Sequence, residues 1–546
     1  MRKAAPVLLV ALLAALGAGA LLPPVGAARP APGGETTFFL AATSLARDFD
    51  LRYDESDRER FLALWGEPPE GVEVVDRQGS ERFAAPAAPA ALAAPALRLA
   101  PRRGLRLAGV LALAVAVTLA WRALARRLEA PAAAGILFVA LAGSIAFHAP
   151  FRAAPAALVA ALILSALALA ALARPRSRTR LTAVYDGPEP GAVRSGTGRY
   201  LLAGLLCGLA VSADLTLLPL FVALPLLGGV TGRARRRAAL VAGLGALGSL
   251  VAVGLLAGAP WEAPQPVADG ALLFWNLVYA VAGRHAGWPL AFLPAVALVA
   301  AARRGSGGLA LVAAVGASLG FRLFLQPFTW AGAVAGPAQL GLLPLYAALW
   351  LLPERPWRPL PGIVLLAASG LSLWPLWLAP RSGDPTLAFA RGPAAPLLAR
   401  LPVETSLREL PGAVEREQAG VAVRAFAPAI EAAAGGELRL RGPGAGTLLV
   451  ASPRRLTGLR LAFDEQAPSG LRVRGAELGA TILRPAGGIE FDLLLDRPRV
   501  RHASPWGGGE ALFYPLRLQF AGALTAPVGF RVVTARTAVP AAEGEP

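Results

Sequence analysis

The chain has 546 residues, 55% of them apolar and 16% charged, with a mean hydropathy of +0.54. A soluble chain carries about a quarter charged residues, so a string of soluble domains is disfavoured. The formal charge of +18 is nearly all arginine, and the arginines cluster between apolar runs, which marks membrane topology and not a nucleic-acid surface.

The chain opens Met-Arg-Lys, followed by an apolar run from about Ala4 to Leu22. An uncleaved first span is preferred over a cleaved signal peptide, because the run is long for a signal core. Both readings export the acid-rich stretch from about Ala28 to Arg103. Within it, Ala84–Ala100 holds too many prolines for a regular span and reads as a juxtamembrane helix with breaks.

Ten further spans are predicted at about 105–121, 131–149, 154–173, 199–212, 214–230, 238–258, 286–302, 308–325, 334–352 and 360–379. That makes about eleven, with 199–230 open to a reading as one tilted or broken helix. The exits of the even-numbered spans are rich in arginine: Arg122, Arg126 and Arg127; Arg174 to Arg180; Arg233 to Arg237; Arg303 and Arg304; Arg355 and Arg358. The positive-inside rule places those exits in the cytosol of a bacterial inner membrane. By parity, the first loop, the 259–285 loop and everything after about Pro380 lie outside.

A Pro/Arg/Glu-rich linker spans about 381–420. Beyond it, short β-like runs begin at Glu437, Gly446, Leu459, Leu471, Ala480, Ile489, Phe513 and Gly529, punctuated by Gly, Pro and Ser. This spacing predicts a β-sandwich-like extracytoplasmic domain over 421–546. The expected fold is therefore a mainly α-helical integral membrane domain over 1–380, a linker, and a β-rich outer domain.

Metal chemistry has little support. Cys207 is the only cysteine, and His148, His285 and His502 are too scattered to propose a zinc site. No metal motif is visible, and the cofactor is left unassigned, with a divalent cation as an open alternative.

Four stretches resemble the GT-C superfamily, the polytopic glycosyltransferases that include protein O-mannosyltransferases and lipid A aminoarabinose transferases. Gly33-Gly34-Glu35-Thr36-Thr37-Phe38-Phe39-Leu40, continuing to Ser44-Leu45-Ala46-Arg47-Asp48-Phe49-Asp50, is similar to that family's first outer loop. Gly204-Leu205-Leu206-Cys207-Gly208-Leu209-Ala210, Gly283-Arg284-His285-Ala286-Gly287 and the Gly-rich segment Trp330–Leu340 resemble later family segments. There are departures: Gly34 stands where an Asp is usual, Phe151-Arg152-Ala153-Ala154-Pro155 replaces a Tyr-Pro-Glu segment, Ala338-Gln339 replaces Arg-Tyr, and Ala213-Asp214 stands where a cation is common.

The resemblance implies inverting transfer of a sugar from a polyprenyl-phosphate donor to an envelope glycan, lipid or protein acceptor on the outer face. Glu35 is the candidate general base, the alternative being a solvated loop acid. Asp48 and Asp50 are candidates for binding the sugar or a metal, with helix capping or solvation as the alternative. Arg284 and His285 are candidates for the lipid phosphate, against an interfacial anchor; His148 and Arg152 flank a short outer loop and are assigned to the same cavity. Asp214 stands out as a carboxylate in an apolar stretch, and Arg322 is expected to snorkel. Six tryptophans, Trp261, Trp275, Trp288, Trp330, Trp374 and Trp377, are expected in an aromatic belt at the outer interface. The departures leave a second function open, a catalytically degenerate scaffold that binds a lipid-linked glycan or a protein partner. The enzyme reading requires the Glu35 carboxylate to face an outer cavity that opens laterally to lipid, with an arginine within reach of a phosphate there; it fails if Glu35 points to bulk water and the cavity holds no cation.

Overall fold

The computed structural model describes residues 4–21, 30, 34–69, 72, 74–77, 80–152, 154–173, 190–227, 232–257, 277, 280, 291–302, 306–325, 337–355, 359–378, 413–426, 430–432, 437–440, 444–452, 454, 456–464, 472–475, 480–483, 490–495, 500–503, 510–520 and 527–537. Its helices are α1 (Ala5–Leu21), α2 (Gly34–Arg47), α3 (Glu55–Trp65), α4 (Ala87–Leu99), α5 (Gly104–Leu124), α6 (Ala130–Ala142), α7 (Ala156–Leu172), α8 (Pro190–Ala213), α9 (Leu218–Leu227), α10 (Gly232–Ala257), α11 (Pro294–Ala300), α12 (Ser306–Leu325), α13 (Pro337–Leu349) and α14 (Pro359–Leu378). Among the described residues, four helices are long and apolar enough to cross a membrane, or five if one bent pair counts as a span. That measure does not reach the expected eleven. Shorter apolar helices, Ala5–Leu21, Ala156–Leu172, Leu215–Leu227 and Pro361–Gly370, fall at other expected spans. The chain is a multi-pass membrane protein.

The bundle has two chemically distinct ends. At one, Arg126 and Arg199 each donate to the Leu172 carbonyl at 2.6 Å, so two arginines cap the end of α7. At the other, α2 and α4 form a layer over the bundle. Its core of Phe38, Phe39, Phe61, Ala90 and Leu97 also takes in Leu105, Leu158 and Val253 from α5, α7 and α10, with Leu209 of α8 packed against it. Helices α5 and α7 start at this end, and α8 and α10 run toward it.

Three local features depart from expectation. The acid-rich first loop contains α2, which is buried from Thr36 to Ala46, so this stretch is not a solvated loop. Ala84–Ala100 forms an unbroken α4 despite Pro95 inside it. The expected span 131–149 breaks: α6 and the Ile145–Phe151 segment meet at 79°. Gly143 sits at the bend, where a Cβ would lie 2.7 Å from the Val139 carbonyl oxygen and 2.9 Å from Pro294 Cγ. In a bilayer the carbonyls freed by such a bend need donors. The Ser144 hydroxyl and the Tyr346 hydroxyl both donate to the Ala140 carbonyl, each at 2.7 Å. The 199–230 region resolves into α8, a 3-10 turn at Leu215–Leu217, and α9.

The C-terminal strands are β3 (Ala413–Gln418), β4 (Val421–Phe426), β5 (Ile430–Ala432), β6 (Leu438–Leu440), β7 (Gly444–Ser452), β8 (Leu456–Phe463), β9 (Arg472–Gly475), β10 (Ala480–Leu483), β11 (Glu490–Leu495), β12 (Val500–Ala503), β13 (Glu510–Phe520) and β14 (Val528–Thr537); β1 (Val74–Arg77) and β2 (Ser80–Phe83) form a separate hairpin. β3 starts inside the stretch read as linker. The larger strands make two antiparallel sheets, ordered β10-β11-β8-β14-β6-β5 and β12-β13-β7-β4-β3, with β9 against β13. Leucines, valines and Phe463 and Phe530 of both sheets share one buried core. Two hydrogen bonds tie the sheets: Leu456 N–H donates to the Tyr514 hydroxyl at 2.7 Å, and Val532 N–H to the Gln418 side-chain oxygen at 2.8 Å. Val532 borders a register shift in β14, so Gln418 accepts from an N–H where the ladder is interrupted.

Candidate functional site

Glu35 lies in the first turn of α2, where the helix dipole favours a carboxylate. The chain leaving the bend after α6 passes through two 3-10 turns, Ile145–Phe147 and Ala149–Phe151, and delivers Arg152 to it. Arg152 Nε donates to Glu35 Oε1 at 2.5 Å, with both side chains largely withdrawn from solvent at 13% and 15% exposure. Glu35 is therefore not a solvated loop acid. The two residues are 117 apart in sequence, and the structure joins them. His148, between the two 3-10 turns, is buried and its ring meets Phe147 edge-on at 6.5 Å.

The other candidates separate from this pair. Asp48 and Asp50 follow the far end of α2, about 20 Å from its start at 1.5 Å per residue. Asp48 accepts from Arg60 of α3 through both of its oxygens. Asp50 accepts from the Ser44 hydroxyl at 3.0 Å and from the Arg52 N–H at 3.1 Å, closing the turn that leaves α2. Both carboxylates have structural partners, and neither shares a ligand sphere with Glu35. Arg284, His285, Trp261, Trp275, Trp288 and Trp330 lie outside the described residues.

The acid-rich run at Asp54–Arg60 carries a buried acid. Asp54 and Asp57 form a reciprocal capping box at the start of α3, and Asp57 is 2% exposed. Burial pushes the Asp57 carboxyl up to about 7, with the Asp54 and Asp48 charges adding to the rise and the Asp54 N–H and Arg60 opposing it. A carboxyl raised in the fold keeps its proton there while the open segment has lost it. Stability of this segment is then fully present near pH 4 and falls as pH climbs through about 7. Amide exchange of α3, corrected for intrinsic rates, is expected to speed up between about pH 4 and 7 and to level off above that. Asp57→Asn is expected to flatten that dependence; the same slope in both proteins would refute the assignment.

A second ion pair sits within the bundle. Asp214 caps the 3-10 turn between α8 and α9, accepting from the Thr216 N–H at 3.0 Å and the Thr216 hydroxyl at 2.6 Å. Arg322 of α12 donates to its other oxygen at 2.6 Å. Gly341 of α13 leaves room for the guanidinium, because a Cβ there would collide with it. Arg322 is thus not a lone snorkelling residue; it closes a clasp over a helix break. Arg322→Ala leaves the Asp214 charge without its partner and is expected to cost about 1.5–3 kcal/mol. Asp214→Asn on that background should recover part of the loss in a double-mutant cycle of detergent-solubilised protein; additive losses would show that the pair is not coupled.

No family model matches the chain. No curated protein matches it. Among solved structures, two of ArnT from Cupriavidus metallidurans are similar, one bound to undecaprenyl phosphate and one in the apo state. The bound form is 17% identical, with a TM-score of 0.43, over 68% of this chain and 64% of that one. The apo form is 15% identical at the same TM-score and coverage. The chain spans less than two thirds of ArnT's length.

Proposed function

We propose that the chain is a bacterial inner-membrane glycosyltransferase that moves a sugar from a polyprenyl-phosphate donor to an acceptor on the outer face. The observation that carries the reading is the Glu35–Arg152 pair, a carboxylate and a guanidinium held together at the end of the bundle opposite the arginine caps. The positive-inside rule makes that the extracytoplasmic end. The two C-terminal sheets then form an outer sandwich, preceded by a linker.

The chemistry follows from the two side chains. Arginine matches phosphate oxygens in a bidentate way, so a donor phosphate competes with Glu35 for Arg152 and releases the carboxylate. Glu35 takes the proton of the acceptor hydroxyl as that oxygen bonds to the reactive carbon of the sugar. The bond from that carbon to the phosphate oxygen breaks, and polyprenyl phosphate leaves with the electron pair. Arg152, with Arg284 as a second cation, balances the charge that develops on the leaving group.

Binding of undecaprenyl phosphate, the lipid that ArnT binds, to the solubilised full chain tests the phosphate half. Arg152→Gln is expected to weaken binding about ten-fold or more, and Arg152→Lys by less, in line with a lost charge-assisted contact of about 1.5–3 kcal/mol. Equal affinity in wild type and Arg152→Gln would remove Arg152 from the site.

A further inference from the structure

The end of α2 and one face of α4 present exposed apolar side chains, with Arg98 and Arg102 on the α4 side and, on the α2 side, Asp48 paired with Arg60 and Asp50 bonded within its own turn. Phe49 lies just past α2 with φ of 63°, a left-handed conformation that bulky side chains rarely adopt, and the residue is 71% exposed. The Arg98 guanidinium sits 5.8 Å from the centre of its ring. Leu99, next in α4, is 85% exposed, and Leu92 is 45% exposed on the same helix. Arg102 follows, also exposed.

The height of this patch is fixed by its neighbours. Helix α4 packs against α5, α7, α8 and α10, and so lies over one end of the bundle. Arg103 donates to the carbonyl of Leu21, the last residue of α1, at 2.6 Å, and α5 starts at Gly104. The patch is therefore level with the point where one apolar helix ends and the next begins. That level is the boundary of the hydrocarbon slab, where aromatic rings and arginines partition naturally.

We infer that Phe49, Leu92 and Leu99 seat in the acyl boundary of the bilayer, with Arg98 and Arg102 receiving anionic lipid headgroups. A left-handed backbone at Phe49 turns the ring outward, away from the core that α2 and α4 share. The apolar side chains gain by entering the interface, and the guanidinium groups match headgroup phosphates. An apolar patch of the same size in bulk water would mark a docking face for a soluble protein. The arginines and the boundary level favour the lipid surface. The seat stands on the fold alone. It has one consequence for the proposed function: α2 carries Glu35 at its other end, so anchoring Phe49 sets the position of that carboxylate relative to the lipid surface.

Nitroxide labels at Phe49→Cys and Leu99→Cys test this, in the full chain with the buried Cys207 replaced by alanine, reconstituted in phosphatidylcholine vesicles with and without phosphatidylglycerol. Glu59→Cys on the exposed side of α3 serves as the aqueous reference. Labels 49 and 99 are expected to be relaxed more strongly by oxygen than by a water-soluble nickel complex, with the opposite preference at 59. Added phosphatidylglycerol is expected to deepen both labels, and Arg98→Gln with Arg102→Gln to abolish that deepening. Nickel accessibility at 49 and 99 equal to that at 59 would overturn the seat and leave a soluble partner as the occupant. Equal depth in the two lipid mixtures would overturn the headgroup contact.

Discussion

Glu35→Gln is expected to bind the donor at least as tightly as wild type, because the competing carboxylate charge is gone, and to lower the turnover of sugar transfer by about 10²–10⁴-fold. Glutamine preserves the shape of the side chain and leaves an oxygen to accept from Arg152 Nε, so α2 keeps its position over the bundle. The substitution removes basicity, which is needed only as the acceptor proton moves. An interaction made only in the transition state lowers kcat and kcat/KM together and does not weaken donor binding. Arg152→Gln should divide differently, raising KM for the donor as well as lowering kcat, because the phosphate is contacted before and during the reaction. A Glu35→Gln enzyme with unchanged kcat would remove Glu35 as the base, whatever else it does.

The second large effect concerns the contact of α8 with α10. Between membrane helices there is little hydrophobic drive, so close backbone approach through small residues supplies the packing. A Cβ at Gly204 would land on the Ala242 carbonyl, and one at Gly208 would reach the Ser249 hydroxyl and lie 2.7 Å from the Ala246 carbonyl oxygen. Gly245 of α10 is equally tight against the Leu201 carbonyl. Gly204→Ala and Gly208→Ala must push two backbones apart and are expected to cost about 1–3 kcal/mol each. Gly248, on the same α10, has open space where its Cβ would be. Gly248→Ala is expected to gain up to about 1 kcal/mol from helix propensity alone. The opposite signs of the two kinds of alanine substitution, read by thermal unfolding in detergent, separate this packing from a general sensitivity of glycine; destabilisation of equal size at all three positions would contradict it.

Much of the helical domain is legible in the sequence because a hydrocarbon core demands long apolar runs, and α5, α10 and α12 stand close to where those runs lie. Helix α2 escapes that reading. Its buried stretch, Thr36 to Ala46, is half the length of a span and is flanked by acids, so it looks like a loop until α4 is seen packed against it. The bend after α6 hides for the opposite reason: the run 131–149 is apolar throughout, and only the crowding around Gly143 distinguishes a break from a continuous span. In the C-terminal region, β3, β4, β5 and β12 are not legible in the sequence. The strand β3 is mostly charged and polar, and its partner β4 is apolar at every position but Arg424, so neither shows an apolar–polar alternation.

Glu35, Arg152 and Asp214 are each conspicuous in the sequence, as ionisable groups beside apolar runs. Their partners are not. Glu35 meets Arg152 across 117 residues and Asp214 meets Arg322 across 108, and spacing along the chain carries no signal at that range. Asp48 and Asp50 are conspicuous too, yet serve the turn after α2 and the link to α3. Type and location mark an acid as a candidate; the donor that reaches it decides its role.

Turnover of an intact donor tests sugar transfer most directly. The full chain, purified and reconstituted with a polyprenyl-phosphate-linked sugar and an envelope extract as the source of acceptor, is predicted to release polyprenyl phosphate in step with the appearance of sugar on the acceptor fraction. A chain that binds the donor and leaves it intact, across extracts and sugars, would contradict transfer and establish a scaffold that holds lipid-linked glycan without reacting it.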